Sequence, residues 1–340
     1  MNKDIFRAYD IRGVYPTEIK ETIITQIVKA YVSYIKPRKI AIGRDVRTSG
    51  ESLLEAATEA LVGAGVDVID IGTITTDMLF FAVANYGLDG GIAITASHNP
   101  AEYNGLKMVR EQARPISMDT GLAEIRELAI KNDFKPVDKT GSITELDIMD
   151  DYIAKLLTFV DKGLITGKKI VANPNFGAAG KVAKKLASEL GLELVEINFE
   201  ENGVFPKGRP DPMQENNRKE TTELIKKTGA DFGVAWDADA DRCFFFDETG
   251  AFVDCYYTIV LLSQIMLDKY PGGKIVHDPR LIWATQSIVR EAGGIPLVNK
   301  AGNVFIKERM KKEGAIFGGE TSGHFFFKDF YFCDNGMIPF

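Results

Sequence analysis

Three cysteines, three histidines and two tryptophans are few for a chain of 340 residues. The cysteines (Cys243, Cys255 and Cys333) are odd in number and far apart, which argues against a disulfide framework and a Cys/His zinc set. Cys243 and Cys333 sit in aromatic surroundings and read as buried thiols. Basic charge is not in excess: 41 Lys and Arg against 48 Asp and Glu give a net charge of −7. The basic face of a nucleic-acid binder is therefore not expected, although a site can still gather Arg and Lys locally for an anionic ligand. No apolar run approaches the roughly 18 residues that suggest a membrane span, and Met1 to Phe6 is polar, so neither a membrane segment nor a signal peptide is expected. The expected setting is the cytoplasm.

What is present is an ordinary globular composition, 45% apolar and 26% charged, over a length that suggests two or three domains. Apolar residues at Ile23, Ile24, Ile27, Val28 and Tyr31 predict a helix within 17–34. Lys39–Gly43 predicts a strand, Leu53 to Leu61 a helix, Val66–Ile71 a strand, and 77–86 a short helix before the strand Gly91–Ile94. This alternation argues for an α/β layer sandwich over residues 1–145. A charged stretch from Lys131 to Asp147, with Pro136 and Gly141, reads as a crossing between domains. The pattern restarts with a helix at 149–160, the strand Lys169–Ala172 and a helix at 181–190, giving a second α/β unit over 146–250. The loop Asn173–Gly180 has neither P-loop nor Rossmann spacing and reads mainly as turn chemistry. A third unit over 251–340 alternates helices at 256–267, 285–292 and 304–312 with strands at 274–277, 295–298 and 315–317. His277, inside an apolar strand, reads as a packed residue. After Gly336 the pattern suggests the start of another helix.

Two stretches stand out chemically. Thr95-Ala96-Ser97-His98-Asn99-Pro100 follows a buried strand, so a serine hydroxyl is held at a strand mouth with a histidine beside it and Lys107 ten residues on. Alone it also reads as a loop serine capping the next element. In open α/β sheets ligands gather at strand ends, where both Ser97 and Arg44 fall. The second stretch, Asp237-Ala238-Asp239-Ala240-Asp241-Arg242, is a tight acidic loop between two apolar strands. Three alternating carboxylates repel one another unless neutralised, and a divalent cation is the simplest answer. Asp237, Asp239, Asp241 and Glu248 also fit the first, third, fifth and twelfth positions of an EF-hand loop. Arg242 occupies the position that needs glycine there, and the flanks look like strands, so the EF-hand reading fails.

Together these stretches resemble the α-D-phosphohexomutases, the family that contains phosphoglucomutase and phosphomannomutase. Phe6-Arg7-Ala8-Tyr9-Asp10-Ile11-Arg12-Gly13 is similar to the family's N-terminal signature in its phosphomannomutase/phosphoglucomutase form; without the resemblance it would read as a solvated arm. Gly318-Gly319-Glu320-Thr321-Ser322-Gly323-His324 is similar to its sugar-recognition loop, and Phe205–Pro212 to its Pro-Asp-Pro segment. The resemblance implies three consecutive α/β domains around a central cleft. It implies that Ser97 carries a phosphoryl group and that Asp237, Asp239 and Asp241 hold magnesium, with a phosphoserine oxygen of Ser97 as a further ligand. Tyr9 and Arg12 would reach the phosphoserine region. Arg242, Arg280, Glu320, Ser322 and His324 would meet the sugar phosphate, and Lys107 would act as general acid/base with His98 assisting. The reaction implied is phosphoryl transfer between C1 and C6 of mannose or glucose phosphate through a hexose 1,6-bisphosphate.

Departures from the family pattern keep two alternatives open, a glucosamine-phosphate mutase and a catalytically incomplete sugar-phosphate-binding protein. Asn303 stands where phosphomannomutases usually carry histidine, and Ala238 and Ala240 stand where glycines are common. Family members also continue into a fourth domain that clamps the non-reacting phosphate. The resemblance covers about three-quarters of a usual member, so the expectation is either a piece of a longer protein or a protein whose clamp domain is supplied separately.

Overall fold

Strands rich in Ile, Val and Phe, separated by amphipathic helices, build three sheets in the computed structural model, which describes residues 1–340. The first contains β1 (Ile11–Val14), β2 (Lys39–Arg44), β3 (Asp67–Thr73), β4 (Gly90–Ile94), β5 (Tyr103–Arg110), β6 (Arg114–Pro115) and β7 (Ile143–Glu145). Their order is β1-β5-β4-β2-β3-β7, with β6 on β5. Strands β2, β3 and β4 are parallel, and parallel neighbours need crossovers. Here α2 (Gly50–Gly63) and α3 (Thr76–Asn85) supply them. The helix α1 (Glu21–Ile35) buries Ile24, Ile27, Val28 and Tyr31, the i, i+3, i+4, i+7 face that its sequence presents. Tyr31 then donates to the carbonyl of Val109 at 2.8 Å inside the core. With α4 (Ala123–Lys131) these elements cover β4, every residue of which is buried. The strand that delivers Ser97 is thus fixed on both faces.

The second sheet runs β12-β11-β10-β8-β9, from β8 (Lys169–Asn173), β9 (Glu193–Glu196), β10 (Phe232–Trp236), β11 (Cys243–Phe246) and β12 (Phe252–Val253). It follows α5 (Met149–Leu156) and carries α6 (Ala179–Leu190) and α7 (Lys219–Thr228). The third runs β14-β13-β15-β16-β17, from β13 (Lys274–His277), β14 (Ile295–Val298), β15 (Phe317–Gly319), β16 (Phe325–Phe327) and β17 (Cys333–Asp334). Its helices are α8 (Cys255–Lys269), α9 (Trp283–Glu291) and α10 (Asn303–Glu313). By packing, the chain forms two compact units, 1–150 with 202–209, and 151–201 with 210–340. Within the second unit the two sheets are tied by buried polar contacts. The Trp236 indole donates to Gly336 O at 2.7 Å, and Asn335 Nδ2 donates to the Tyr152 hydroxyl at 3.0 Å.

Several expectations change. The stretch 131–147, read as a crossing, contains β7, an exposed edge strand parallel to β3. The N-terminal signature contains β1, antiparallel to β5, so it is not a solvated arm. No helix follows Gly336; Asn335 Oδ1 accepts from the amides of Met337 and Ile338, both at 2.7 Å, closing a turn. Residues 202–209 pack with the first unit, where the Gly203 position leaves only 2.2 Å between an added Cβ and Val46 O. All three thiols are buried. Burial pushes Cys255 up to about 12 and Cys333 up to about 11, so both stay protonated and unreactive. No helix is long and apolar enough to cross a membrane.

The β1–β5 pairing depends on Gly105, where a Cβ would stand 1.8 Å from Ile11 O. Gly105→Ala should destabilise the first unit by about 3 kcal/mol or more, the upper end for overpacking. Urea denaturation checks this, and a loss under about 1 kcal/mol would mean that β1 is not needed where it lies.

Candidate active site

In the first unit, β4 ends at Ile94 and the chain turns through Thr95 and Ala96 to Ser97, whose φ is 49°. A non-glycine residue in this left-handed region is strained by roughly 1–2 kcal/mol and persists only where its surroundings fix it. The fixing group is Arg47, which is wholly buried with Asp45. Its Nη2 donates to Ser97 O at 2.6 Å and Asn99 O at 2.7 Å; its Nη1 donates to Pro100 O at 2.6 Å and Tyr103 O at 3.0 Å. Asp45 accepts from Arg47 Nε at 3.1 Å and from Thr95 Oγ1 at 2.7 Å, and Thr95 Oγ1 accepts from Ser97 N at 2.9 Å. Guanidinium geometry suits this, since five N–H donors radiate in one plane. The Ser97 hydroxyl lies 3.2 Å from His98 Nδ1.

Arg12 comes to the same loop from β1. Asp10 holds its Nε at 2.7 Å, and its Nη1 donates to Asn99 Oδ1 at 2.7 Å. Arg209, in the 202–209 segment, donates to His98 O at 2.8 Å. Tyr9 is half-buried in the bend before β1. Lys107 stands on β5 opposite Ala93 of β4, with its Nζ 3.3 Å from Thr76 Oγ1. Four expected residues (Arg12, Ser97, His98 and Lys107) therefore converge on the C-terminal end of β4 and its neighbours.

In the second unit, the acidic loop joins β10 to β11, two antiparallel strands. The flanks being strands, the EF-hand reading is excluded by structure as well as by spacing. Carboxylate oxygens of Asp237, Asp239 and Asp241 lie within 4.8 Å of one another, and all three residues are buried. Hard oxygen donors converging in a buried loop suit a hard divalent cation. Arg242 folds back on its own loop, 2.8 Å from Asp237 and 3.4 Å from Asp211 of the Pro-Asp-Pro segment. Burial disfavours its charge, but Asp237, Asp211 and Asp241 more than offset this and raise its pKa. The loop Asn173–Gly180 braces this turn. Asn175 Nδ2 donates to Trp236 O at 2.7 Å, and at Gly177 an added Cβ would fall 2.4 Å from Ala238 O. Ala240 takes φ 54°, a conformation that glycine would adopt without strain.

The third sheet adds the remaining residues of the second unit. Arg280 Nη2 meets Asp278 at 2.7 Å and Glu320 Oε1 at 3.0 Å. Burial would raise the Asp278 pKa, yet hydrogen bonds from Arg280 and Thr321 lower it. The Ser322 hydroxyl is buried with no protein partner. His324 Nδ1 lies 3.0 Å from Asp334 and 3.9 Å from Asp241. His277 is buried with its Nδ1 2.9 Å from Asp278 O, and burial lowers its pKa, in keeping with a packed role. Asn303 is the buried first residue of α10.

Sequence reasoning missed Arg47, Asp45, Asn99 and Asp334. Arg47 acts almost entirely on main-chain carbonyls 50–56 positions away, which leave no mark in side-chain identity. The one available signal was Arg-Asp-Val-Arg at the end of β2.

Three family profiles match the chain: "Phosphoglucomutase/phosphomannomutase, alpha/beta/alpha domain I" over residues 3–136, domain II over 150–250 and domain III over 254–340. A phosphomannomutase from Salmonella montevideo is 46% identical, the match spanning 99% of this chain and 76% of that protein. One from Escherichia coli K12 is 47% identical over 98% of this chain and 75% of that protein. A crystal structure of a phosphoglucomutase/phosphomannomutase family protein from Burkholderia thailandensis superposes with a TM-score of 0.92 at 32% identity, covering all of this chain and 75% of that one.

Replacing Arg47 by Met would take the guanidinium from the buried Asp45 carboxylate and remove its donors from the carbonyls of Ser97, Asn99, Pro100 and Tyr103. Breaking a buried pair this way costs about 3–5 kcal/mol, and urea unfolding should register a loss of that size. A near-neutral result would show that the serine loop holds its own shape.

Proposed function

The chain belongs to the phosphoglucomutase/phosphomannomutase family, and from that premise we propose that it moves a phosphoryl group between C1 and C6 of a hexose phosphate. Mannose and glucose phosphates are the proposed substrates, with Ser97 as the phosphoryl carrier and a hexose 1,6-bisphosphate as intermediate and activator. The observation that carries this reading is the Ser97 hydroxyl, fixed by the Arg47 clamp and 3.2 Å from His98 Nδ1.

In the forward half, the bond between phosphorus and Ser97 Oγ breaks as a sugar hydroxyl oxygen bonds to phosphorus. The hydroxyl proton passes to a base, for which Lys107 is the candidate, with His98 assisting. The resulting bisphosphate returns its other phosphoryl group: the bond from phosphorus to that sugar oxygen breaks as Ser97 Oγ bonds to phosphorus, and the sugar oxygen takes back the proton held by the base, so the serine ends as it began. Transfer of this kind rests on positioning and charge neutralisation. Arg12, Arg242 and Arg280 are proposed to meet phosphate oxygens, and a guanidinium fork can hold two at once. Tyr9, Glu320, Ser322 and His324 complete the proposed set, with Glu320 and Ser322 taking sugar hydroxyls. A carboxylate can accept from two hydroxyls, and the unpartnered Ser322 Oγ gains a partner when sugar binds. The three aspartates fit magnesium, which when bound neutralises phosphate charge. Glu320 and Ser322 read hydroxyls whose configuration glucose and mannose share, so this pair does not separate the two sugars.

The test is a coupled assay of hexose 1-phosphate conversion with magnesium and a trace of the bisphosphate. Ser97→Ala should lose turnover by at least about 10³-fold, in the range seen when a nucleophile is removed, and chelation of magnesium should do the same. Retained turnover in Ser97→Ala would sink the phosphoserine reading. A large preference for glucosamine phosphate, by specificity constant, would overturn the choice of sugar.

A further inference from the structure

Consecutive main-chain carbonyls of the serine loop all accept from guanidinium groups, and Arg47 does not account for the whole series. Arg47 takes the carbonyls of Ser97, Asn99 and Pro100, and Arg12 Nη1 donates to Ala96 O at 3.4 Å. The carbonyl between those of Ser97 and Asn99 belongs to His98, and it accepts from Arg209 Nε at 2.8 Å. Arg209 reaches it from 111 positions away in the chain. It does so because residues 202–209 pack with the first unit, although the residues before and after them belong to the second.

This segment is anchored at few points. Gly203 and Phe205 are buried and Arg209 is half-buried, whereas Val204, Pro206, Lys207 and Gly208 are exposed. At Gly203 an added Cβ would come within 2.6 Å of Thr48 N and 2.8 Å of Arg47 C. Phe205 N donates to Asn202 O at 3.0 Å, and Gly208 N donates to Phe205 O at 2.8 Å. Two turns therefore meet at Phe205, whose φ is 46°. A left-handed non-glycine residue persists only where its surroundings fix it, and the Phe205 ring is fixed against Arg47. The guanidinium carbon lies 5.0 Å from the ring centroid. All five N–H donors of Arg47 are spent in its own plane, so only a flat face is left for contact. Phe205 takes that face in a cation–π arrangement, and the Arg47 side chain is 0% exposed.

We propose that the 202–209 segment is a strap that positions Ser97. Arg209 holds the His98 carbonyl, and Phe205 seals the guanidinium of Arg47, so that the serine hydroxyl and imidazole keep their 3.2 Å approach. Both are positioning residues that act through the loop backbone. The consequence for phosphoryl transfer rests on the reading of Ser97 as the carrier, whereas the holding of the loop is a property of the protein alone.

Hydrogen exchange of the whole chain, without any sugar phosphate, tests the holding. The amides of Ser97 and Asn99 donate within the loop, to Thr95 Oγ1 at 2.9 Å and to Ala96 O at 3.0 Å. In Arg209→Met, which keeps a long side chain without a donor, these amides should exchange at least about tenfold faster. Arg209→Lys restores an N–H donor and should recover most of the protection. Phe205→Leu removes the ring face and should loosen the same amides, while those of α1 exchange as in the wild-type chain. Unchanged exchange at Ser97 and Asn99 in Arg209→Met and Phe205→Leu would overturn the proposal. So would equal quickening in α1, which would make the segment a support of the whole unit. A second arm follows phosphoryl uptake at Ser97 from glucose 1,6-bisphosphate with magnesium. Arg209→Met should lower the rate constant at saturation by about ten- to a hundredfold and leave the half-saturating concentration unchanged. A raised half-saturating concentration with an unchanged rate constant would make Arg209 a ligand contact and overturn its positioning role. Absence of uptake by the wild-type chain would sink the phosphoserine reading by itself, because the exchange result stands without it.

Discussion

One buried guanidinium decides the shape of the serine loop. Arg47 places five donor contacts on Asp45 and on the carbonyls of Ser97, Asn99, Pro100 and Tyr103, and these outweigh the backbone strain at Ser97. A hydrogen bond to a charged group contributes about 1.5–3 kcal/mol, against roughly 1–2 kcal/mol for a left-handed non-glycine residue. The clamp therefore wins with margin. The strain is then a fixed feature, and the backbone of Ser97 is held by the protein itself. Burial of β4 on both faces and the tight fit of Gly105 under β1 extend the same rigidity into the sheet.

The acidic loop of the second unit is held by a different balance. Its three carboxylates are crowded, so its shape has to come from outside the loop. Asn175 and Gly177 brace one side, Trp236 and Gly336 the other, and Arg242 bonds back to Asp237. At Gly336 an added Cβ would come within 2.2 Å of Ala240 O. Ala240 keeps its left-handed φ under that confinement. The serine loop is thus pinned by one guanidinium, and the acidic loop by close packing together with scattered hydrogen bonds.

Much of this was legible in the sequence where burial is continuous. The strands flanking Asp237–Arg242 are apolar on both sides of the turn, and α1 carries its core face in plain helical spacing. Strand β5 was not assigned, because Tyr103-Asn104-Gly105-Leu106-Lys107 mixes turn residues with apolar ones. Its strand character comes from pairing with β1 and β4. Strand β7 was hidden because Ile143-Thr144-Glu145 is an exposed edge with no core face. The turn after Gly336 looked helical because Asn335 caps two amides as the start of a helix does. Of the candidate residues, Ser97 in the first unit and the aspartates in the second were visible as motifs. Arg47 was not, since it reads main-chain atoms.

The central claim is that Ser97 is a phosphoryl carrier. It is tested most directly by the intact mass of the chain after incubation with magnesium and glucose 1,6-bisphosphate, measured beside Ser97→Ala. The account predicts uptake of one phosphoryl group by the wild-type chain and none by the variant. Uptake by both proteins, or by neither while magnesium still binds, would contradict it.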